Sequence, residues 1–342
     1  MSLIRIHMRM CPPLIALLAF MIVQVSTAQQ PRRSNVLLRR AAWVMGTELR
    51  LVLVARDEAA GQRAAEAVFA AVRRVDDLLS TWRDDSELAR LNRAPAGEAI
   101  ALSSALHDLL GEVWRWWRDT GGTFDPGVGP LVDVWGVRGA RHQPTDDELA
   151  LALRNSGLRQ FDLDPTRRTM VRRSPGAWLD SGGFGKGAAL RSVQAVLRAS
   201  GIHAALVDFG GQGLAVGSSP EATGSAGWTV GVAHPAQRLV AVRELVVQDR
   251  SVSTSGQSEQ PGHILDPRSG RPVPAWGSVT VVEPDPMVAD ILSTALFVMG
   301  PQDGLRWSEG RDDFGALFLI LREGRVEARW NRAMEPFFKE KR

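Results

Sequence analysis

The sequence is short of the residues on which many small exported or metal-binding proteins depend. It has one cysteine, Cys11, among 342 residues. A single thiol forms no intrachain disulfide and no multi-cysteine metal site, so the fold must rest on a packed core. At 44% hydrophobic residues the material for one is present, and the length fits one large or two modest domains. Tyrosine is absent, although there are 11 tryptophans and 11 phenylalanines. An excess of one charge is also missing. The formal charge is +3, and two arginines with no acid fall in residues 1–28, leaving 39 basic against 38 acidic side chains in the body. A body this close to neutral argues against a bulk electrostatic grip on nucleic acid, while leaving room for a local cationic site. Internal repeats and low-complexity tracts are lacking too.

Several catalytic motifs are missing. There is no H-E-x-x-H and no G-x-S-x-G, and the Asp208-Phe209-Gly210 triplet has no H-R-D partner, which excludes a protein kinase. The stretch DSGGFGKGAAL (Asp180–Leu190) sets Lys186 between glycines, yet no hydroxyl follows the lysine, so the nucleoside-triphosphate loop pattern fails. The dinucleotide fingerprint fails there and in GGQGLAVG (Gly210–Gly217). What is left is a glycine-rich turn with an acid before it, a cation inside it and a helical pattern after it. Such a backbone can approach a ligand closely at a helix N-terminus, and an ordinary strand-to-helix turn is the competing reading.

Residues 1–28 read as a secretory signal. Arg5 and Arg9 form the basic region, PPLIALLAFMIVQV the apolar core, and STA before Gln29 the small-x-small cleavage site. An uncleaved N-terminal membrane anchor is the alternative. Cys11 precedes the apolar core, unlike a lipoprotein cysteine. Residues 29–40 are polar and arginine-bearing and read as a flexible lead-in, with the catalytic domain over 41–335.

Beyond it, MGTELRLVLVA turns at Gly46 and becomes a strand. A long helix follows to near Ser80, then a short one capped by Asp85 or Ser86 and stopped by Pro95. A further helix, which holds Trp114, Trp116 and Trp117, stops at Gly121 and Gly122. TFDPGVGPLVDVWG is too rich in glycine and proline for a regular element. A helix over about 187–200 precedes a buried strand, HAALVDFGG, and strands follow at WTVGVAHP, AVRELVVQD, SVSTSG and GSVTVVEP. MVADILSTALFVMG is a helix, and a hairpin turns at Glu323-Gly324. This mixed order predicts an α+β fold of mixed sheets with packed helices.

Two constellations carry chemistry. Asp290 and Thr294 are four apart and share a helix face, offering a carboxylate and a hydroxyl to a hard cation such as magnesium. The competing reading has Thr294 bonded back into its own helix and Asp290 solvated. His263, in HILDPRSGRPV, can serve as a general base, or as a structural histidine at a strand end.

Taken in order, M-G-T, L-S-T-W with D-S-E and L-N, G-G-T-F-D-P-x-V-G-P-L-V-x-x-W-G, L-D-x-G-G-x-x-K-G, T-S-G, H-I-L-D-P-R-S-G-R-P and A-D-x-x-x-T-A-L-F-V-M-G closely resemble the ApbE family, over Met45 to Gly300. The resemblance implies a T-fold-like flavin transferase architecture. It also implies a magnesium-dependent, periplasmic enzyme that splits FAD, places FMN on a Thr or Ser hydroxyl of an acceptor protein and releases AMP. Asp290, Thr294, Ser293 and the carbonyl of Gly183 would surround Mg2+. Met45, Trp82, Thr123, Phe124, Asp125, Asp180, Lys186 and Ile264 match FAD-contacting positions, and Trp82 replaces a common tyrosine. Lys186 and His263 match the catalytic groups, with His263 deprotonating the acceptor hydroxyl. The implied acceptors are subunits of membrane redox complexes or electron-transfer proteins with an FMN-binding domain, with inner-membrane association and no nucleic acid. The sequence departs from the pattern at Gln212, where many relatives have Asp, at Ser293, where some carry an acid, and in its short loop from Gly256 to His263. The rival readings are an FAD pyrophosphatase that frees FMN, a non-catalytic flavin carrier, and a polysaccharide-binding module suggested by the tryptophans.

Overall fold

The computed structural model describes residues 35–220, 227–258 and 260–339. The signal segment and the start of the lead-in lie outside the described residues. The strands are β1 (Val36–Val44), β2 (Thr47–Ala55), β3 (Ala99–Ala101), β4 (Phe161–Asp164), β5 (Thr169–Arg172), β6 (Ala204–Phe209), β7 (Gln212–Val216), β8 (Trp228–His234), β9 (Gln237–Val247), β10 (Arg250–Gly256), β11 (Gly277–Glu283), β12 (Gly315–Arg322) and β13 (Arg325–Trp330). The helices are α1 (Glu58–Leu79), α2 (Glu87–Arg93), α3 (Ser104–Asp119), α4 (Gly129–Val134), α5 (Asp146–Asn155), α6 (Gly185–Ala199) and α7 (Pro286–Ser308).

Eight strands form one antiparallel sheet in the order β1-β2-β6-β7-β10-β11-β12-β13. Its strands alternate between two cores, as period-two side chains must. Leu49, Leu51 and Leu53 of β2, Val279 and Val281 of β11, and Phe318 and Ile320 of β12 join a large core with α1, α6 and α7. Val252, Val282, Leu317 and Leu319 face a second core with the β8–β9 hairpin and Met334. A sheet covered on both faces gives the near-continuous buried runs of VTVV in β11 and ALFLI in β12, whereas β6 alternates and leaves Asp208 exposed. A three-stranded sheet, β3-β5-β4, stands apart. A third small core joins α4, α5 and Leu265.

Two expectations need correction. The lead-in expected over 29–40 is strand from Val36 onward, and β1 pairs with β2 along its whole length, Val36 opposite Ala55 and Val44 opposite Thr47. β1 is an edge strand, and edge strands carry charges such as Arg39 and Arg40 that disguise them as linker. The segment TFDPGVGPLVDVWG is also regular. It forms a 3-10 turn at Pro126–Val128 and then α4, with Asp125 and proline supplying the start signals. Elsewhere the local signals act as expected. Ser86 caps α2 by accepting from Ala89 N at 2.9 Å, and the helix holding Asp290 breaks at Gly300 (φ 80°), just before Pro301. Trp114, Trp116 and Trp117 pack on the main core.

The N-terminal turns of α6 and α7 meet at Gly187. A Cβ there would lie 2.5 Å from Pro286 O and 2.6 Å from Met287 Cα, both backbone atoms. Gly187→Ala is therefore expected to push α6 and α7 apart and cost about 1–3 kcal/mol. A denaturant midpoint equal to wild type would overturn this close-approach argument.

Asp125 is the second local device. Its carboxylate accepts from Gly127 N at 2.8 Å and from Leu158 N at 2.9 Å, so it ties the 3-10 turn to a segment 33 residues away. Burial pushes its carboxyl from 3.8 up to about 6, against the pull of those N–H groups. A raised carboxyl favours the folded state in its protonated form. Its contribution is complete below 3.8 and is lost as pH rises through about 6. Measured against Asp125→Asn, wild-type stability should fall by about 3 kcal/mol across that window, by the usual linkage of one pKa step to 1.36 kcal/mol. Unfolding titrations of both proteins at several pH values would show it, and parallel curves would refute it.

Candidate active site

The turn between Leu179 and α6 gathers the residues singled out in the sequence. Asn92 holds its entrance, donating to Leu179 O at 2.9 Å and accepting from Leu179 N at 2.8 Å. Asp180 Oδ1 accepts from Gly182 N at 2.5 Å, closing a turn on its own side chain. Ser181 Oγ donates to Leu79 O at 2.9 Å, docking the turn on the end of α1. The chain then enters α6 at Gly185 with no side-chain cap, so the helix presents the positive end of its dipole together with Lys186.

Gly183 lies between Phe124 and Thr294. The position of its missing Cβ is 3.4 Å from Phe124 Cε2 and 3.5 Å from Thr294 Oγ1. Phe124 is buried and meets Phe184 edge-on at 6.4 Å between ring centroids. One turn along α6, Gly187 N donates to Asp290 Oδ2 at 3.0 Å. Asp290 is 4% exposed. Burial pushes its carboxyl up, while Lys186 and the Gly187 N–H pull it down. Met45 reaches the same turn, where the missing Cβ of Gly185 would sit 3.8 Å from its Cε. Met45 occupies the left-handed region (φ 49°) beside Gly46 (φ 72°) in the two-residue β1–β2 turn. A bulky residue held in that strained region is a pointer to function.

A metal fits this corner by its donor chemistry. A buried carboxylate, a hydroxyl one helical turn on and the adjacent Gly183 backbone offer hard oxygen donors, which suit magnesium better than a thiophilic ion. A bound cation would also offset the cost of burying Asp290. Among the described residues no group of three or more His, Cys, Asp or Glu side chains gathers anywhere, this corner included, so a cation here would rest on one carboxylate with hydroxyl and backbone oxygens.

Three assigned residues have other engagements. Ser293 is fully buried, and its hydroxyl bonds Ser253 Oγ and Ser255 Oγ at 3.0 Å each and donates to Asp290 O at 3.0 Å. These bonds brace α7 on β10. The Asp125 carboxylate is taken up by its two backbone partners, so its part in the site is to shape the Thr123–Asp125 segment. The Thr123 hydroxyl likewise donates to Thr120 O at 3.0 Å. Gln212 faces inward, donating to Pro286 O at 2.8 Å and to Ser251 Oγ at 3.2 Å, and so supports the start of α7.

His263 sits in the loop after β10. Its Nδ1 lies 2.5 Å from Gln260 O. A carbonyl only accepts, so Nδ1 carries the proton and a neutral ring keeps its lone pair on Nε2. Gln257 clamps this loop, accepting from Gly262 N at 2.7 Å and donating to Val273 O at 2.9 Å. Ile264 follows His263 into the main core.

Sequence reasoning missed the residue that joins these parts. Arg138, in the loop after α4, pairs with Asp180 and donates to Thr81 O at 3.0 Å. Its guanidinium also lies over the rings of Trp82 and Trp178, at 4.9 Å and 4.7 Å from their centroids. The neighbouring Val137 O accepts from Gln260 at 3.1 Å, and Arg141 donates to Gly262 O at 3.2 Å. The 137–141 loop thus links the Trp82 and Asp180 segments to the His263 loop. The signal available was L-V-x-x-W-G, which marks where α4 ends but not what the next residues hold.

The chain is similar to known proteins over most of its length. The chain is 30% identical over 311 residues to an FAD:protein FMN transferase of Klebsiella pneumoniae, covering 86% of each chain. It is 32% identical over 305 residues to one from Treponema pallidum, covering 82% of this chain and 84% of that one. The fold superposes on the flavin transferase ApbE of Vibrio cholerae with a TM-score of 0.79 at 26% identity, over 89% of this chain and 99% of that one. The apo flavinyl transferase ApbE of Pseudomonas stutzeri gives the same TM-score and identity, over 90% and 98%. The sequence profile of the ApbE family matches residues 45–318, from the strained Met45 turn to β12. That span takes in the Asp180–Gly187 turn, the His263 loop and the Asp290 helix together, and the chain belongs to the ApbE family.

Proposed function

We propose that the protein transfers FMN from FAD to a threonine or serine hydroxyl of an acceptor protein and releases AMP, with magnesium as the cofactor. The observation that carries this reading is the corner where Gly187 N donates to the buried Asp290 carboxylate beside Gly183 and Thr294, with Lys186 acting on the same carboxylate, a set of oxygen donors and a cation suited to a diphosphate and its metal. His263, whose Nδ1 donates to Gln260 O, is the general base in this reading.

In the proposed step the acceptor hydroxyl oxygen bonds to the phosphorus of the FMN half. The bond from that phosphorus to the bridging oxygen breaks, and AMP leaves with that oxygen. The hydroxyl proton passes to His263 Nε2, since a hydroxyl is a poor nucleophile until a base takes its proton. Asp290, Thr294 and the Gly183 carbonyl would hold magnesium, which supplies Lewis-acid neutralisation of the diphosphate. Lys186, at the uncapped start of α6, adds a second positive charge toward the same phosphates. Met45, Trp82 and the Thr123–Asp125 segment would receive the ring systems and the ribityl chain. The N-terminal signal pattern supports export to the periplasm. The acceptors that fit an exported flavin transferase are subunits of membrane redox complexes or electron-transfer proteins with an FMN-binding domain.

The test is a transfer assay with FAD, magnesium and an acceptor domain that carries a flavinylation threonine. Fluorescent acceptor on a denaturing gel together with AMP is the expected result. AMP with free FMN and unlabelled acceptor would favour hydrolysis instead. His263→Gln should keep FAD binding and lose transfer by about 10²–10⁴-fold, the usual share of a general base. Loss of FAD binding in that variant would make His263 structural. Asp290→Asn preserves the side-chain shape and should abolish magnesium-dependent turnover without unfolding the chain. Chelation with EDTA should reproduce that loss in the wild type; full activity of the variant would remove Asp290 from the metal site, and full activity under EDTA would remove the metal from the reaction.

A further inference from the structure

Trp82 is among the most exposed large side chains of the described residues, at 73%, and yet it is held. It is the outermost member of a series of contacts that starts in α4. Trp178 lies against the backbone of Gly129, where a Cβ would come within 2.2 Å of the indole, and it donates to Asp133 Oδ2 at 2.8 Å. Arg138 packs on Trp178, and Trp82 packs on Arg138. Both terminal nitrogens of the guanidinium are committed, Nη1 to Thr81 O at 3.0 Å and Nη2 to Thr81 Oγ1 at 2.5 Å and to Asp180. The Arg138 side chain is 21% exposed and that of Asp180 is 12% exposed.

A guanidinium with these partners is poorly placed to serve as a phosphate ligand. What it does is fix an indole plane and a carboxylate relative to each other. Arginine alone supplies a flat cation that stacks on two rings while its edge forms directed hydrogen bonds. An exposed indole so held is a preformed platform for a further flat ring. We infer that Arg138 is a positioning residue for substrate, holding Trp82 ready to stack on one aromatic ring of the dinucleotide and keeping Asp180 beside it. This inference rests on the flavin reading above. The loop reaches His263 through Val137 O and Arg141 rather than through the Arg138 side chain. Arg138 should therefore govern substrate affinity more than turnover.

The experiment compares FAD binding, by flavin fluorescence, and transfer kinetics in the full chain for wild type, Arg138→Lys, Arg138→Met, Trp82→Ala and the Arg138→Lys/Trp82→Ala double variant. Melting curves for each confirm folding, and the lysine variant retains charge if the methionine variant is unstable. Arg138→Lys is expected to weaken FAD binding and raise KM about tenfold, the scale of a lost cation–π support, with kcat within about threefold. In the Trp82→Ala background the same change should cost less than about twofold, because the platform is already gone. ADP is the second probe. ADP binding that weakens alongside FAD assigns the adenine ring to Trp82, and unchanged ADP binding assigns the flavin. FAD affinity unchanged in both single Arg138 variants, or additive effects in the double variant, would overturn the inference alone. A wild type that does not bind FAD would overturn the flavin reading, and this inference with it.

Discussion

The hydrogen bond from Gly187 N to the buried Asp290 carboxylate is the contact on which the site depends. It joins the first turns of two helices that rest on the same sheet. Only a residue without a side chain lets them approach this closely. Once they meet, the rest of that corner follows. Gly183 comes beside Thr294, Lys186 acts on Asp290, and the dipole of α6 points at the same place. The apolar parts of α6 and α7 and the inner face of the sheet supply the burial that holds the polar contact in register. The buried hydroxyls of Ser253, Ser255 and Ser293, and the Gln212 amide, then lock α7 on the strands behind it.

The other half of the site is built differently. Trp82, Asp180 and His263 stand on loops, which have no ladder of their own to hold them. Their rigidity comes from side chains that bridge between loops. Asn92 grips Leu179 in both directions, Gln257 spans Gly262 and Val273, and Arg138 spans Thr81, Asp180 and two indoles. Each bridge satisfies backbone or charged groups that would otherwise be left unpaired at the edge of the core. Rigid helices thus carry Lys186, Asp290 and Thr294, while braced loops carry Trp82, Asp180 and His263.

The errors of sequence reading follow the same division. Thr294 and Asp290 were legible because a helix fixes which residues share a face, four apart. The Ser86 cap, the Met45–Gly46 turn and the break at Gly300 were legible because each is a local steric or hydrogen-bonding demand. Val36–Arg40 was misread because a strand's partner lies elsewhere in the chain, and arginines on an edge resemble linker. Pro126–Val134 was misread because glycine and proline density hid two short helical turns started by Asp125.

Sequence alone therefore determined the α+β class, most element positions, the family and the chemical types gathered for the site. Those properties depend on near neighbours in the chain or on an ordered set of motifs. Tertiary structure alone decided what each of those groups is bonded to within the protein. Ser293 and the Asp125 carboxylate turned out to be committed to the protein, and Arg138 turned out to be central. The physical reason is that a side chain's engagement depends on what folding brings against it across tens of residues, such as Leu158 against Asp125 and Asp180 against Arg138.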